Sequence, residues 1–305
     1  MFYVATLISP PDRPAVTDPL AQNVARYLPH GRPVAWLAPA AAVDIAFLLD
    51  ESEGANEDLL KDLAGDIRDI IGDAPVDVVI QPHEGRRKRL LVADMDSTMI
   101  GQECIDELAD HAGFRGRVAA ITERAMRGEI EFAPALRERV ALLKGLPLTA
   151  IDTLIAERIR LTPGARTLVA TMRANGACTC VVSGGFTAFT ERLAAMIGFD
   201  EQRANTLLVD ADGRLTGTVA EPILGREAKL EALTTLRDRF RLSREDTLAV
   251  GDGANDIPMI GAAGLGVAFH GKPALREAAA ACIDHGDLTA LLYAQCYRRD
   301  EFVAG

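Results

Sequence analysis

Apolar and polar positions alternate in two different rhythms along this chain. In the first stretch, residues 2–8 are apolar, residues 20–28 have helical spacing, and residues 44–49 are apolar again. Residues 57–71 then place Leu59, Leu60, Leu63, Ile67, Ile70 and Ile71 on one helix face, and residues 76–80 form a short β-branched run. The predicted order is strand, helix, strands, helix, strand. In the second stretch, apolar runs at 89–93, 177–182, 247–250 and 265–269 alternate with helical patterns at 164–174, 187–197, 225–240 and 273–280. That rhythm predicts a parallel sheet. Residues 205–209 and 215–219, joined through Asp212-Gly213, predict a hairpin. Residues 101–160 break the alternation with four helical patterns, at 103–112, 117–127, 134–143 and 150–159. A helical insertion directly after the first strand of the sheet predicts a cap over the carboxyl ends of the strands, where ligands of open α/β sheets bind.

Composition narrows the class. At about 150 residues per domain, 305 residues suggest two domains. Hydrophobic residues make up 49% and charged residues 25%, as in a globular protein. The longest apolar run, residues 34–43, is ten residues long and broken by Pro39, whereas a membrane span needs about 20. The N-terminus lacks the basic start of a secretory signal, so a soluble cytoplasmic protein with no membrane partner is expected. Lys and Arg number 33 against 44 Asp and Glu, a net charge of −11. Such a chain repels phosphate backbones, which argues against a nucleic-acid partner, and an anionic substrate would need local positive charge. Cys104, Cys178, Cys180, Cys282 and Cys296 form no CxxC pair and no His cluster accompanies them, so free thiols and no zinc site are expected. Residues 1–85 hold 5 basic and 14 acidic side chains, and Arg86-Arg87-Lys88-Arg89 follows at once. This shift sets a domain boundary at residue 85, with the basic run expected to be a solvated linker pairing with the acidic first domain.

The chemistry gathers at strand ends. The strand at 89–93 ends in Asp94-Met95-Asp96-Ser97-Thr98, and two carboxylates one residue apart point the same way if the backbone stays extended. Such a pair suits a nucleophile with a proton donor, or a metal site. Val182-Ser183-Gly184-Gly185-Phe186 puts a hydroxyl and two glycines before a helix, a cradle of N–H groups for phosphate. Lys229 sits early in a helix and by itself says nothing. Gly251-Asp252-Gly253-Ala254-Asn255-Asp256 brings hard oxygen ligands to one glycine-rich turn after an apolar strand, which suits Mg²⁺.

In order, these four pieces resemble the signature motifs of the haloacid dehalogenase superfamily: DxDxT at 94–98, the serine Ser183, the lysine Lys229 and GDGxND at 251–256. Glu103, Glu131-Phe132 and the run Arg137-Glu138-Arg139-Val140-Ala141-Leu142-Leu143-Lys144-Gly145-Leu146-Pro147 narrow the resemblance to the phosphoserine phosphatases, over residues 90 to about 292. The resemblance implies a Rossmann-like parallel sheet with a small helical cap at about 101–160. It implies Mg²⁺-dependent hydrolysis of O-phosphoserine, the last step of serine biosynthesis, through an aspartyl phosphate. Asp94 is then the nucleophile, and Asp96 the acid that becomes the base. The Asp94 carboxylate, the Asp96 main-chain carbonyl and the Asp252 carboxylate hold Mg²⁺, while Asp256 supports the metal or Lys229. Lys229, Ser183 and the Gly184 N–H hold the phosphoryl oxygens, with Asn255 close by. Glu103 pairs with the substrate ammonium and Arg139 with its carboxylate, between apolar walls from Phe132 and Met99.

The small α+β unit over residues 1–85 resembles ACT-type, ferredoxin-like regulatory modules, which implies an amino-acid effector. A homodimer contact or plain packing stays open beside that reading. With no motif residue, the unit is expected to be dispensable for the chemistry. Two other functions also stay open. One is hydrolysis of another small phosphate ester, such as phosphothreonine, phosphohomoserine or a sugar phosphate. The other is a non-catalytic amino-acid sensor, against which Asp94, Asp96, Lys229 and Asp252 all speak.

Overall fold

The structure, a computed structural model, describes residues 1–32, 35–49 and 57–305; Val34, which opens the longest apolar run, lies outside them. The first unit runs β1 (Phe2–Ile8), α1 (Asp18–Tyr27), β2 (Ala35–Ala38), β3 (Ala42–Leu48), α2 (Glu57–Ile71), β4 (Asp77–Pro82). Its four strands lie in the order β2-β3-β1-β4, and β1 is antiparallel to both neighbours. The βαββαβ order is ferredoxin-like. Thr17 starts α1 by accepting the Leu20 N–H at 3.3 Å, with proline in the first turn. One sheet face packs Val43, Ile45 and Phe47 against Ala21, Val24 and Ile67 of the helices. The other face, with Leu37, Ala38, Ala42 and Val79, joins the core of the second unit.

The second unit begins with β5 (Leu90–Ala93). The insertion follows as α3 (Cys104–His111), α4 (Arg115–Met126), α5 (Phe132–Ala141) and α6 (Thr149–Glu157). The chain returns through α7 (Ala165–Ala174), β6 (Cys178–Phe186), α8 (Thr187–Ile197), β7 (Glu201–Asn205), β8 (Leu207–Val209) and β9 (Leu215–Val219). It ends with α9 (Arg226–Arg239), β10 (Thr247–Gly251), α10 (Ile257–Ala262), β11 (Leu265–Phe269), α11 (Pro273–Ala278), β12 (Ala281–Ile283) and α12 (Ala290–Ala294). Six strands form one sheet in the order β12-β11-β10-β5-β6-β7, every neighbouring pair parallel. Both faces are covered, one by Leu233, Leu236 and Met259, the other by Leu168, Phe189 and Leu291. That double burial is why Leu90-Leu91-Val92-Ala93 is apolar without a break.

The insertion leaves and rejoins the sheet through two segments paired to each other, Ile100 bridging Leu161 and the Gly101 N–H donating to the Arg160 carbonyl at 3.1 Å. The hairpin differs from expectation. Asn205 belongs to β7 of the large sheet, and the two-stranded β8–β9 begins two residues later. It docks on the insertion, where Gly145 and Leu148 donate N–H bonds to the Leu215 and Gly213 carbonyls at 2.8 and 3.0 Å. The cap is thus helical with a β-hairpin attached.

The basic run is not a solvated linker. Arg86 and Lys88 are buried. The Arg86 guanidinium makes a bidentate pair with Asp44 at 2.6 and 3.0 Å and also donates to Thr6 Oγ1 and to the Tyr293 and Ala294 carbonyls. The pairing with the acidic first unit holds; the solvation does not, because α12 closes over the guanidinium. All five cysteines are free. Among the described residues, no helix is long and apolar enough to cross a membrane.

Candidate active site

Strand β5 continues to β6 and β7 on one side and meets β10, β11 and β12 on the other, so the winding reverses at the β5–β10 pair. Carboxyl ends of strands at such a switch point form a crevice. The Asp94 N–H donates to the Val250 carbonyl at 2.9 Å, which sets the two strand ends level and delivers Asp94 and Asp252 to one place. After Asp94 the chain makes a wide turn in which Asp96 is extended, at φ −66° and ψ 137°, and Ser97 is left-handed, at φ 56°. The Ser97 hydroxyl donates to Glu103 Oε1 at 2.8 Å and tethers the start of α3 to this turn.

Carboxylate oxygens of Asp94, Asp252 and Asp256 all lie within 4.8 Å of one another. Lys229 approaches from the interior, its Nζ 2.7 Å from Asp94 Oδ2 and 2.6 Å from Asp256 Oδ1. Asp256 also accepts the Gly253 N–H at 3.1 Å. It packs so closely on β10 that a Cβ at Gly251 would lie 2.3 Å from its Cγ, which is why only glycine serves there. Burial pushes the Asp94 carboxyl up to about 6, with Lys229 pulling the other way. Burial, then the charges of Glu103 and Asp94, hold Asp96 well above the usual carboxylate range. Burial opposes the charge on Lys229, yet Asp94 and Asp256 outweigh it and raise its pKa. Two carboxyls pushed up by burial, beside a locked ammonium in one crevice, mark a candidate functional site.

Ser183 and Gly184 sit inside β6, not at a helix start, because the strand runs on through Phe186. Val182 pairs with Arg203 and Phe186 with Asn205, so β6 carries two extra residues here. A bulge of this kind re-aims the backbone toward a site. The Ser183 Oγ accepts the Gly185 N–H at 2.9 Å, and the Asn205 amide holds the bulge by donating to the Gly184 carbonyl at 2.9 Å. Asn205 also bonds both main-chain groups of Leu224, at 2.7 and 3.1 Å. A Cβ on Gly184 would lie 3.3 Å from Phe132 Cζ, so the glycine lets the cap come close.

These groups line a cavity of about 180 Å³, small even for a metabolite pocket. Its walls include Asp94, Asp96, Ser183, Gly184, Asp252 and Asn255 from the sheet, and Glu103, Phe132 and Arg139 from the cap. Lys229 and Asp256 lie beneath its floor, both buried, and Met99 is buried outside the lining. The Arg139 guanidinium is steadied by the Ala135 carbonyl and the Thr122 hydroxyl at 3.3 and 3.5 Å, and among the described residues no carboxylate pairs with it. Burial lowers its pKa. Every predicted polar site residue is therefore in or directly beneath one cavity, whereas Met99, expected as an apolar wall, does not line it. Sequence reasoning missed two more. Asn205 is an amide in a strand, where Asn is disfavoured, and that could have flagged it. Lys272, in the cavity wall with its Nζ 2.9 Å from Asp252 Oδ2, carries no such signal because a lysine before a helix reads as solvated.

The donor set fits a hard divalent cation. It is all oxygen, clustered and acidic, and Asp96 Oδ1 in the same cavity is buried without a hydrogen-bond partner.

A family model of haloacid dehalogenase-like hydrolases matches residues 91–261, more than half of the chain. The chain belongs to that family. A phosphoserine phosphatase of Mycobacterium tuberculosis is 47% identical to this hydrolase over 237 residues, 77% of this chain and 58% of that protein. This hydrolase therefore spans little more than half of that relative's length. A hydrolase of the same family from Salmonella enterica serovar Typhi superposes over 98% of this chain and 99% of its own, with a TM-score of 0.80 and 28% identity. A phosphoserine phosphatase solved as its phospho-aspartyl intermediate analogue covers 68% of this hydrolase and 98% of its own chain, with a TM-score of 0.62 and 42% identity.

Proposed function

We propose that this hydrolase cleaves O-phosphoserine to serine and phosphate in two steps through an aspartyl phosphate on Asp94. The observation that carries the reading is the pairing of two buried carboxyls in one small cavity, Asp94 beside Lys229 and Asp96 with an unpartnered oxygen. Asp94 attacks phosphorus, and Asp96, whose burial beside Glu103 and Asp94 favours the protonated form, gives its proton to the departing serine oxygen. Asp96 then takes a proton from the water that attacks the acyl phosphate. Lys229, the Ser183 hydroxyl and the Gly184 N–H receive the phosphoryl oxygens, with Asn255 at the cavity rim, and such fixed donors supply most of the catalysis in phosphoryl transfer. The Asp94 and Asp252 carboxylates and the Asp96 main-chain carbonyl would hold Mg²⁺, which supplies charge neutralisation at the phosphoryl group. Asp256 is bonded to Lys229 and positions it.

The cap provides the discrimination. Glu103 supplies a carboxylate for the substrate ammonium, and Arg139, unpaired and half-buried, a fork for its carboxylate. Support for phosphoserine over other esters comes from this opposed pair and from the phosphoserine phosphatases among the relatives. Phosphate release from phosphoserine tests the reading: it is expected to stop with EDTA and resume with Mg²⁺. Turnover that ignores EDTA, or an ester lacking the amino-acid moiety hydrolysed as fast, contradicts it.

A further inference from the structure

Two lysines serve the carboxylate cluster, and they are held very differently. Lys229 is locked, 2% exposed and bonded to Asp94 and Asp256 from the interior. Lys272 comes from the solvent side. It caps the start of α11, its main-chain N–H donating to the Asp252 carbonyl at 2.8 Å, so its Cα is anchored beside Asp252. The side chain then folds back to place Nζ 2.9 Å from Asp252 Oδ2, with 60% of the lysine side chain exposed against 10% of the aspartate's. Glu103 and Asp94 face the same ammonium. Within the cluster of Asp94, Asp252 and Asp256, Asp252 is thus the carboxylate whose counter-charge is an exposed side chain rather than Lys229.

We infer that Lys272 is the removable counter-ion of this site: it neutralises Asp252 while no cation is bound and gives way when a divalent cation takes that carboxylate. The physical case is charge. Asp94, Asp96, Glu103, Asp252 and Asp256 converge on one crevice, and without a cation the interior lysine alone leaves Asp252 uncompensated. An ion pair with an exposed lysine is weak enough to be exchanged, unlike the buried Lys229 pair. Lys272 therefore stabilises the empty site and competes with the metal.

The inference rests on the metal set proposed above and not on the identity of the substrate. Its test is a calorimetric titration of MgCl₂ into substrate-free protein at constant ionic strength, with wild type, Lys272→Met, Lys272→Gln and Lys272→Arg. Both neutral variants are expected to bind Mg²⁺ more tightly, by roughly threefold to tenfold, with the arginine variant near wild type. Without Mg²⁺ the neutral variants are expected to melt lower, and to gain more in Tm on its addition. Equal or weaker Mg²⁺ binding by both neutral variants overturns the inference, since a lysine that stays on Asp252 to orient it gives that result. Wild type that binds Mg²⁺ but leaves phosphoserine intact overturns the substrate reading alone. Wild type that binds no Mg²⁺ overturns both.

Discussion

At the scale of single residues, the account turns on which charges are compensated. Lys229 is bound on two sides, by Asp94 and Asp256, and Asp96 has a buried oxygen bound on none, so the first is fixed in place and the second brings an unmet polar atom to the cavity. Among the described residues no carboxylate pairs with Arg139, a cap cation in the cavity wall, and its proposed role predicts a substrate-dependent loss. Arg139→Ala is expected to weaken kcat/KM for phosphoserine far more than for phosphoethanolamine, which lacks the carboxylate. Glu103→Ala is expected to weaken both, since both esters carry the ammonium. Truncating one partner of a desolvated, hydrogen-bonded ion pair costs about 2–5 kcal/mol. At 1.4 kcal/mol per tenfold, that is about thirtyfold or more for phosphoserine. Equal losses on both esters for Arg139→Ala would assign it to the phosphate or to the fold.

At the scale of elements, the bulge in β6 turns an ordinary strand end into a backbone that lines the cavity, and Asn205 keeps it in shape. Asn205→Ala strands the Gly184 carbonyl and the Leu224 main chain. A loss of about 1–3 kcal/mol in stability is expected, together with a raised KM, checked by chemical denaturation and steady-state kinetics. A stability loss with an unchanged KM contradicts the link between bulge and substrate. The same elements show what could be seen in the sequence. Strands β5, β10 and β11 are buried on both faces, so their apolar runs stand out, and the acidic motifs that follow β5 and β10 are visible as chemistry. Strand β7 reads Glu-Gln-Arg-Ala-Asn, an edge strand with little apolar content, and was hidden for that reason. Its concealment moved Asn205 into the hairpin and concealed the bulge, while Lys272 was hidden because its role depends on a neighbour 20 residues away.

At the scale of the whole molecule, the two units are joined by buried polar contacts rather than by a free linker. Asp77 accepts N–H bonds from Asp284, His285 and Gly286, and Arg86 ties Asp44 and Thr6 to α12. Arg86→Ala is expected to cost about 3–5 kcal/mol, because it leaves Asp44 buried and unpaired, and unfolding by denaturant measures it. Among the described residues, none of 1–85 lines the candidate active-site cavity, so their removal is expected to lower stability before it touches chemistry. What remains most directly at stake is the chemistry at Asp94. The deciding measurement is rapid acid quenching of the hydrolase with Mg²⁺ and ³²P-labelled phosphoserine, followed by digestion and location of the label. The account predicts label on the peptide carrying Asp94 in the wild type and none in Asp94→Asn. Phosphate released with no labelled protein, or label on another residue, would contradict it.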